Sequence, residues 1–66
     1  MTARINGEAR AVPDGSTIAD LLDSFGLPAK NVLVEQNGEP VTRDEFSHQT
    51  IREEDRIEII SMVAGG

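Results

Sequence analysis

Two Asn-Gly dipeptides, Asn6-Gly7 and Asn37-Gly38, do most to limit what this chain can fold into. Both central residues of a type I′ turn need positive φ, which asparagine tolerates and glycine adopts freely. Each pair, standing between two runs that read as strands, therefore predicts a β-hairpin with a two-residue loop. Met1 to Asn6 and Glu8 to Val12 supply the arms of the first hairpin; Val32 to Gln36, with a short return through Glu39, Pro40 and Val41, supply the second. Pro40 has no N–H to give to a ladder, which puts that return at a sheet edge.

Between the hairpins the apolar period changes from two to three or four. Pro13-Asp14-Gly15 ends the first hairpin, and Thr17 with Asp20 forms a capping box ahead of Ile18, Leu21, Leu22 and Phe25 at i, i+3, i+4 and i+7. This predicts one amphipathic helix of about ten residues. Gly26 supplies a left-handed stop and Pro28 cannot continue the helix. After the second hairpin, Thr42 to Phe46 predicts a single helical turn with Phe46 tucked inward. His48 to Glu54 is polar apart from Ile51 and is expected to cross the surface. Asp55 to Val63 is the final and longest strand, with Ile57 and Ile59 on one face and Ile60 and Met62 on the other.

Hairpin, helix, hairpin, irregular crossover and strand is the order of the β-grasp fold. The expectation is an α+β domain over residues 1–63: a mixed four- to five-stranded sheet with one main α-helix packed across it, first and last strands parallel at its centre. Ile5, Val12, Ile18, Leu21, Leu22, Phe25, Val32, Val34, Ile57 and Ile59 are the expected core. A flexible tail, residues 64–66, is expected to follow.

A chain of 66 residues buries only about 60% of the surface its unfolded form exposes, which leaves no room for a large enzyme cleft. Without cysteine, disulfide staples, thiolate nucleophiles and cysteine zinc sites are excluded. The formal charge of −6 argues against phosphate-backbone binding and favours encounter with basic surfaces. There is no apolar run of membrane-spanning length, and Met1 to Gly7 breaks too soon for a signal-peptide core, so a cytoplasmic protein that meets neither membrane nor nucleic acid is expected. His48 is the single histidine and reads as a surface residue. Glu53-Glu54-Asp55 and Asp44-Glu45 lack the ligand spacing and loop glycine of a calcium site, so no metal site is assigned. Gly15-Ser16-Thr17 lacks the lysine and glycine spacing of a phosphate loop and reads as ordinary capping.

The last four residues, Val63-Ala64-Gly65-Gly66, follow the apolar run Ile57 to Met62. A Gly-Gly end has no Cβ to clash with a narrow channel, which suits a carboxylate threaded into another protein's active site. The chemistry would then belong to the main-chain carboxyl of Gly66, with Gly65 and Ala64 as its tail.

Ile5-Asn6-Gly7-Glu8, Ser16 to Leu22, Val34 to Val41, and Asp55 to Ile59 followed by Met62 to Gly66 together resemble the thiamine-biosynthesis sulfur carrier family (ThiS-type) of ubiquitin-like proteins, along essentially the whole chain. The resemblance implies a protein that is itself no enzyme and carries no bound cofactor or catalytic residue. An E1-like adenylating enzyme using ATP and Mg would adenylate Gly66, a desulfurase system would supply sulfur to form a thiocarboxylate, and thiazole synthase would take that sulfur up. AMP is a good leaving group and a thiocarboxylate sulfur is a better nucleophile than the oxygen it replaces. One departure is Glu54, where relatives commonly place glycine at the turn into the last strand.

The same mechanism serves the small subunit of molybdopterin synthase and carriers for other sulfur pathways, such as cysteine or methionine synthesis. Readings of another class are a ubiquitin-like modifier joined to lysines and a plain β-grasp interaction module. Ile60, Met62 and Val63 form an apolar cluster outside the expected core. Either they pack under the irregular segment near Phe46, or they form a partner-docking patch leading into the tail.

Overall fold

The computed structural model describes residues 1–62. Both Asn-Gly pairs make the turns their chemistry favours, with φ of 52° and 85° at Asn6 and Gly7 and of 53° and 83° at Asn37 and Gly38. Across the first turn β1 (Thr2–Ile5) pairs antiparallel with β2 (Glu8–Ala11); across the second, β3 (Val32–Gln36) pairs antiparallel with β4 (Glu39–Val41). The last strand, β5 (Arg56–Ser61), enters between them, parallel to β1 and antiparallel to β3. The order β2-β1-β5-β3-β4 is the mixed five-stranded sheet of a β-grasp, and Pro40 lies on its edge strand as expected.

One α-helix, α1 (Ile18–Ser24), crosses the sheet and is shorter than the ten residues its period suggests. Its start is a full capping box: the Asp20 amide donates to Thr17 Oγ1 at 3.1 Å and the Thr17 amide to Asp20 Oδ2 at 2.9 Å. Two further N-terminal amides are taken up by the crossover, Ile18 by the Gln49 carbonyl at 3.0 Å and Ala19 by the Phe46 carbonyl at 2.9 Å. The stop is a Schellman motif at Gly26, φ 68°. There the Gly26 amide reaches the Asp23 carbonyl and the Leu27 amide the Leu22 carbonyl, both at 3.0 Å.

That stop corrects one expected core residue. Phe25 is the C-cap, where the chain leaves the helix, and it is 37% exposed with its ring centroid 5.2 Å from the Arg10 guanidinium carbon. Leu27, two residues on, packs against the core instead, the hydrophobic partner that a Schellman turn commonly folds back. The other nine expected residues are buried, joined by Ala3, Val41, Phe46 and Ile51. Phe46 follows a 3-10 turn (Arg43–Glu45), and Ile51 anchors the crossover with its amide on the Ser16 carbonyl at 2.9 Å. Among the described residues no helix is long and apolar enough to cross a membrane.

Candidate functional site

β5 is the last described element, and residues 63–66 follow it in sequence after Met62. Its two halves are held differently. Ile57 is flanked on both sides, by β1 and by β3, and Arg56 by β1 and by Asn37 of the second turn; beyond them β1 has ended at the Asn6 turn, and Glu58 to Ser61 pair with β3 alone. At that boundary the Asn6 side chain takes over from the missing strand, accepting the Ile59 amide on Oδ1 at 2.7 Å. The Met62 amide then donates to the Asn31 carbonyl at 2.7 Å, so the β3 side is bonded to the end of the described chain.

Alternation along β5 turns Ile57 and Ile59 into the core and leaves Ile60 on the open face, 52% exposed. Directly opposite it on β3 stands Leu33, 53% exposed, and Met62 is 40% exposed. Ile60 and Met62 are thus on the sheet surface rather than buried beneath the segment after Val41. Val63, Ala64, Gly65 and Gly66 lie outside the described residues. Leu33 was missed as part of this patch, since its membership follows from register with Ile60 and not from its neighbours in sequence. A recess of about 410 Å³ lined by Leu33, Pro40, Thr42, Arg43 and Ile60 adjoins the pair. Arg43 forms its rim, donating from Nε to the Ala29 carbonyl at 3.1 Å and from its terminal guanidinium nitrogen to the Lys30 carbonyl at 2.9 Å.

The opposite end of β5 is a polar anchor. Asp55 is buried and accepts from Gln36 Nε2 at 2.8 Å, Asn37 Nδ2 at 2.9 Å and the Arg52 amide at 2.8 Å. Burial alone raises its carboxyl pKa and is the largest single influence. Hydrogen bonds from Asn37, the Arg52 amide and Gln36, with the Arg52 charge, together outweigh it and hold the group below the usual carboxylate value. Gln36 also donates to the Thr50 carbonyl at 3.1 Å and accepts from Gln49 Nε2 at 2.8 Å. A recess of about 600 Å³ lies beside this network, lined in part by His48, Gln49 and Asp55, but its buried polar groups are already mutually bonded. Asp55 is thereby a holder of the β5 entry and not a free base.

Among the described residues no three His, Cys, Asp or Glu side chains converge as a metal would require. His48 is exposed. The arrangement is a strand anchored at its start by Asp55 and past its middle by Asn6, with an exposed apolar pair near its end.

Residues 3–66 match the ThiS family. Sulfur carrier protein ThiS of Bacillus subtilis is 36% identical over 64 residues, covering 96% of this chain and 97% of that protein. A thiazole synthase of Magnetococcus marinus is 32% identical over 66 residues, all of this chain but 20% of that protein, and one of Paramagnetospirillum magneticum is similar over 19% of its length. The chain thus spans about a fifth of the length of these two relatives. Among solved structures, a thiamine biosynthesis protein (ThiS) from Geobacter metallireducens superposes with a TM-score of 0.84 at 29% identity, each chain covered in full.

Proposed function

The chain belongs to the ThiS family, and from that premise we propose that it is a sulfur carrier for thiamine thiazole synthesis whose reactive group is the Gly66 carboxyl. The observation that carries the reading is the family match running through Gly66, in the residues that follow a strand anchored at two points. In the proposed sequence a carboxylate oxygen of Gly66 attacks the α-phosphorus of ATP on an E1-like enzyme and pyrophosphate leaves. A sulfide equivalent from a desulfurase system then adds to the acyl carbon and AMP departs, leaving a thiocarboxylate. ATP and Mg belong to the adenylating partner; this chain is the reagent and not the catalyst.

Each step explains a property of the chain. Two glycines lack the Cβ atoms that would bar a narrow channel, so the enzyme reaches the carboxyl through main-chain contacts alone. The apolar pair Leu33 and Ile60, with Met62, offers the enzyme an exposed surface at the end of β5, where buried apolar area contributes affinity. Relatives called ThiS and thiazole synthase favour the thiazole pathway over molybdopterin, and make thiazole synthase the proposed acceptor.

The test is the intact mass of the protein after incubation with the adenylating enzyme, ATP, Mg and a sulfur donor. The C-terminal fragment should gain the mass difference of sulfur for oxygen. No such species, in a mixture that modifies an authentic carrier, would sink the proposal; adducts joined to lysines would point to a modifier instead.

A further inference from the structure

The open face of the sheet is banded across its strands. Arg4 lies beside Arg56, then Glu58 directly opposite Glu35, then Ile60 directly opposite Leu33, and Met62 follows toward the tail. Glu35 and Glu58 are both exposed and alternate with buried Val34, Gln36, Ile57 and Ile59, so the two carboxylates share the open face. Like charges directly opposite each other destabilise an antiparallel pair. No ion pair holds either carboxylate, although Arg4 and Arg56 stand in the next band: the ion pairs among the described residues join the Met1 amine to Asp14 and Arg10 to Glu8, and neither includes Glu35 or Glu58.

Three features meet here. The acidic pair is in no ion pair among the described residues, the apolar pair beside it is more than half exposed, and each pair has one member, Glu58 or Ile60, on β5, the strand that precedes the last residues. An apolar surface alone would accept many partners. A repulsive carboxylate pair set one register step away rejects apolar and acidic surfaces and accepts a cation, since specificity rests on penalties against wrong partners as much as on attraction to the right one.

We propose that Glu35 and Glu58 are specificity-determining residues of a docking face whose occupant is the enzyme that activates Gly66. That enzyme presents an arginine or lysine between the two carboxylates and an apolar side chain on Leu33 and Ile60. The inference rests on the function proposed above and adds to it the chemistry of the partner surface. A guanidinium suits the place, because it offers forked donors to two carboxylates at once. Charge pairing at such a face acts mainly on encounter and register, so the binding it supports is sensitive to salt.

The experiment is ATP–pyrophosphate exchange by the activating enzyme, with the full chain as substrate, at about 50 and about 200 mM salt. Glu35→Gln/Glu58→Gln should raise KM about tenfold at low salt with kcat unchanged, and should flatten the salt dependence seen with the wild-type chain. Its urea midpoint should not fall, because the substitution removes a repulsion and no core group. Leu33→Ala should raise KM without altering the salt dependence. A glutamine variant that keeps both the wild-type KM and its salt dependence overturns this inference while leaving the proposed function intact. Weakened binding to thiazole synthase with unchanged activation kinetics shows that the occupant was wrongly assigned and overturns it too. If the wild-type chain supports no exchange with an enzyme active on an authentic carrier, the proposed function fails and this inference falls with it.

Discussion

Asn6 Oδ1 accepts the Ile59 amide at 2.7 Å across 53 residues of sequence, so the chain's first turn holds its last strand where β1 no longer reaches. Asn6 does two jobs at one position: its backbone adopts φ 52° for the turn, and its side chain continues the ladder. Asn6→Gly keeps the first and removes the second. It should cost about 1 to 2 kcal/mol, the loss of a hydrogen bond with a partner left unpaired, and hydrogen exchange at Ile59 should accelerate. Asn6→Asp retains an acceptor at the same site and should stay closer to wild type in urea denaturation.

Glu54 has φ 68°, a left-handed conformation that costs a non-glycine residue roughly 1 to 2 kcal/mol. It enters the turn before β5 with its amide on the Thr2 carbonyl at 2.7 Å, a bond that any residue other than proline keeps. Glu54→Gly should therefore stabilise the protein by about 0.5 to 1 kcal/mol, the relief being partly offset by the greater freedom of glycine in the unfolded chain. An unchanged or lower urea midpoint would show that the Glu54 side chain supplies more than the strain takes away.

The contrast between these positions explains how much of the molecule was legible in sequence. The Asn-Gly turns, the Thr17–Asp20 box and the Gly26 stop are settled by chemistry within a few residues, and each appears as expected. The facing of Ile57, Ile59 and Ile60 follows from strict alternation along β5. What was not legible depends on partners far away in the chain. Asn6 with Ile59, Asp55 with Gln36, and Leu33 with Ile60 are brought together by register, which no local pattern encodes. Phe25 fits the helix period and still escapes the core, because the Schellman turn substitutes Leu27. For the candidate site, Ile60 and Met62 were visible as an apolar excess at the chain's end, whereas the carboxylate pair Glu35 and Glu58 becomes apparent only when β3 is laid against β5.

Acid should weaken the start of β5. The Asp55 carboxyl titrates below its ordinary value in the fold, so its contribution is complete above the unfolded carboxylate pKa of about 3.9 and is lost as pH falls through the lower folded value. Urea midpoints should be level near neutral pH and drop below about pH 4. Asp55→Asn should lower stability by about 1 to 3 kcal/mol at neutral pH, since its amide turns a donor toward the donors of Gln36, Asn37 or Arg52. The acid limb of the profile should be shallower in that variant; an identical limb would assign the acid sensitivity to other carboxylates.

Leu21 of α1 and Phe25 at its C-cap, four positions apart, should respond differently to truncation. Leu21 is 5% exposed, and Leu21→Ala opens a cavity between helix and sheet that should cost roughly 2 to 5 kcal/mol. Phe25→Ala removes a half-buried ring whose neighbour is Arg10 and should cost about 1 kcal/mol, in the range of ordinary partly exposed substitutions. Equal losses would mean that the Phe25 ring is more deeply held in solution than its exposure indicates.

Deleting Gly65 and Gly66 should separate fold from function. Neither residue carries a side chain, so stability should move by less than about 0.5 kcal/mol, as for changes away from packed features. Sulfur acceptance should nevertheless vanish. The terminal carboxyl is withdrawn by about 7 Å if the tail is extended, at roughly 3.3 to 3.6 Å per residue, and chemistry that needs contacts near 3 Å does not tolerate such a displacement. Leu21→Ala makes the opposite case, because it loosens the core and leaves Gly66 in place. At a temperature where that variant is still folded, it should accept sulfur at close to the wild-type rate. A truncated chain that still forms a thiocarboxylate, or supports thiazole synthesis, would show that the reactive group is not at Gly66; one that unfolds would show that the last two residues belong to the domain.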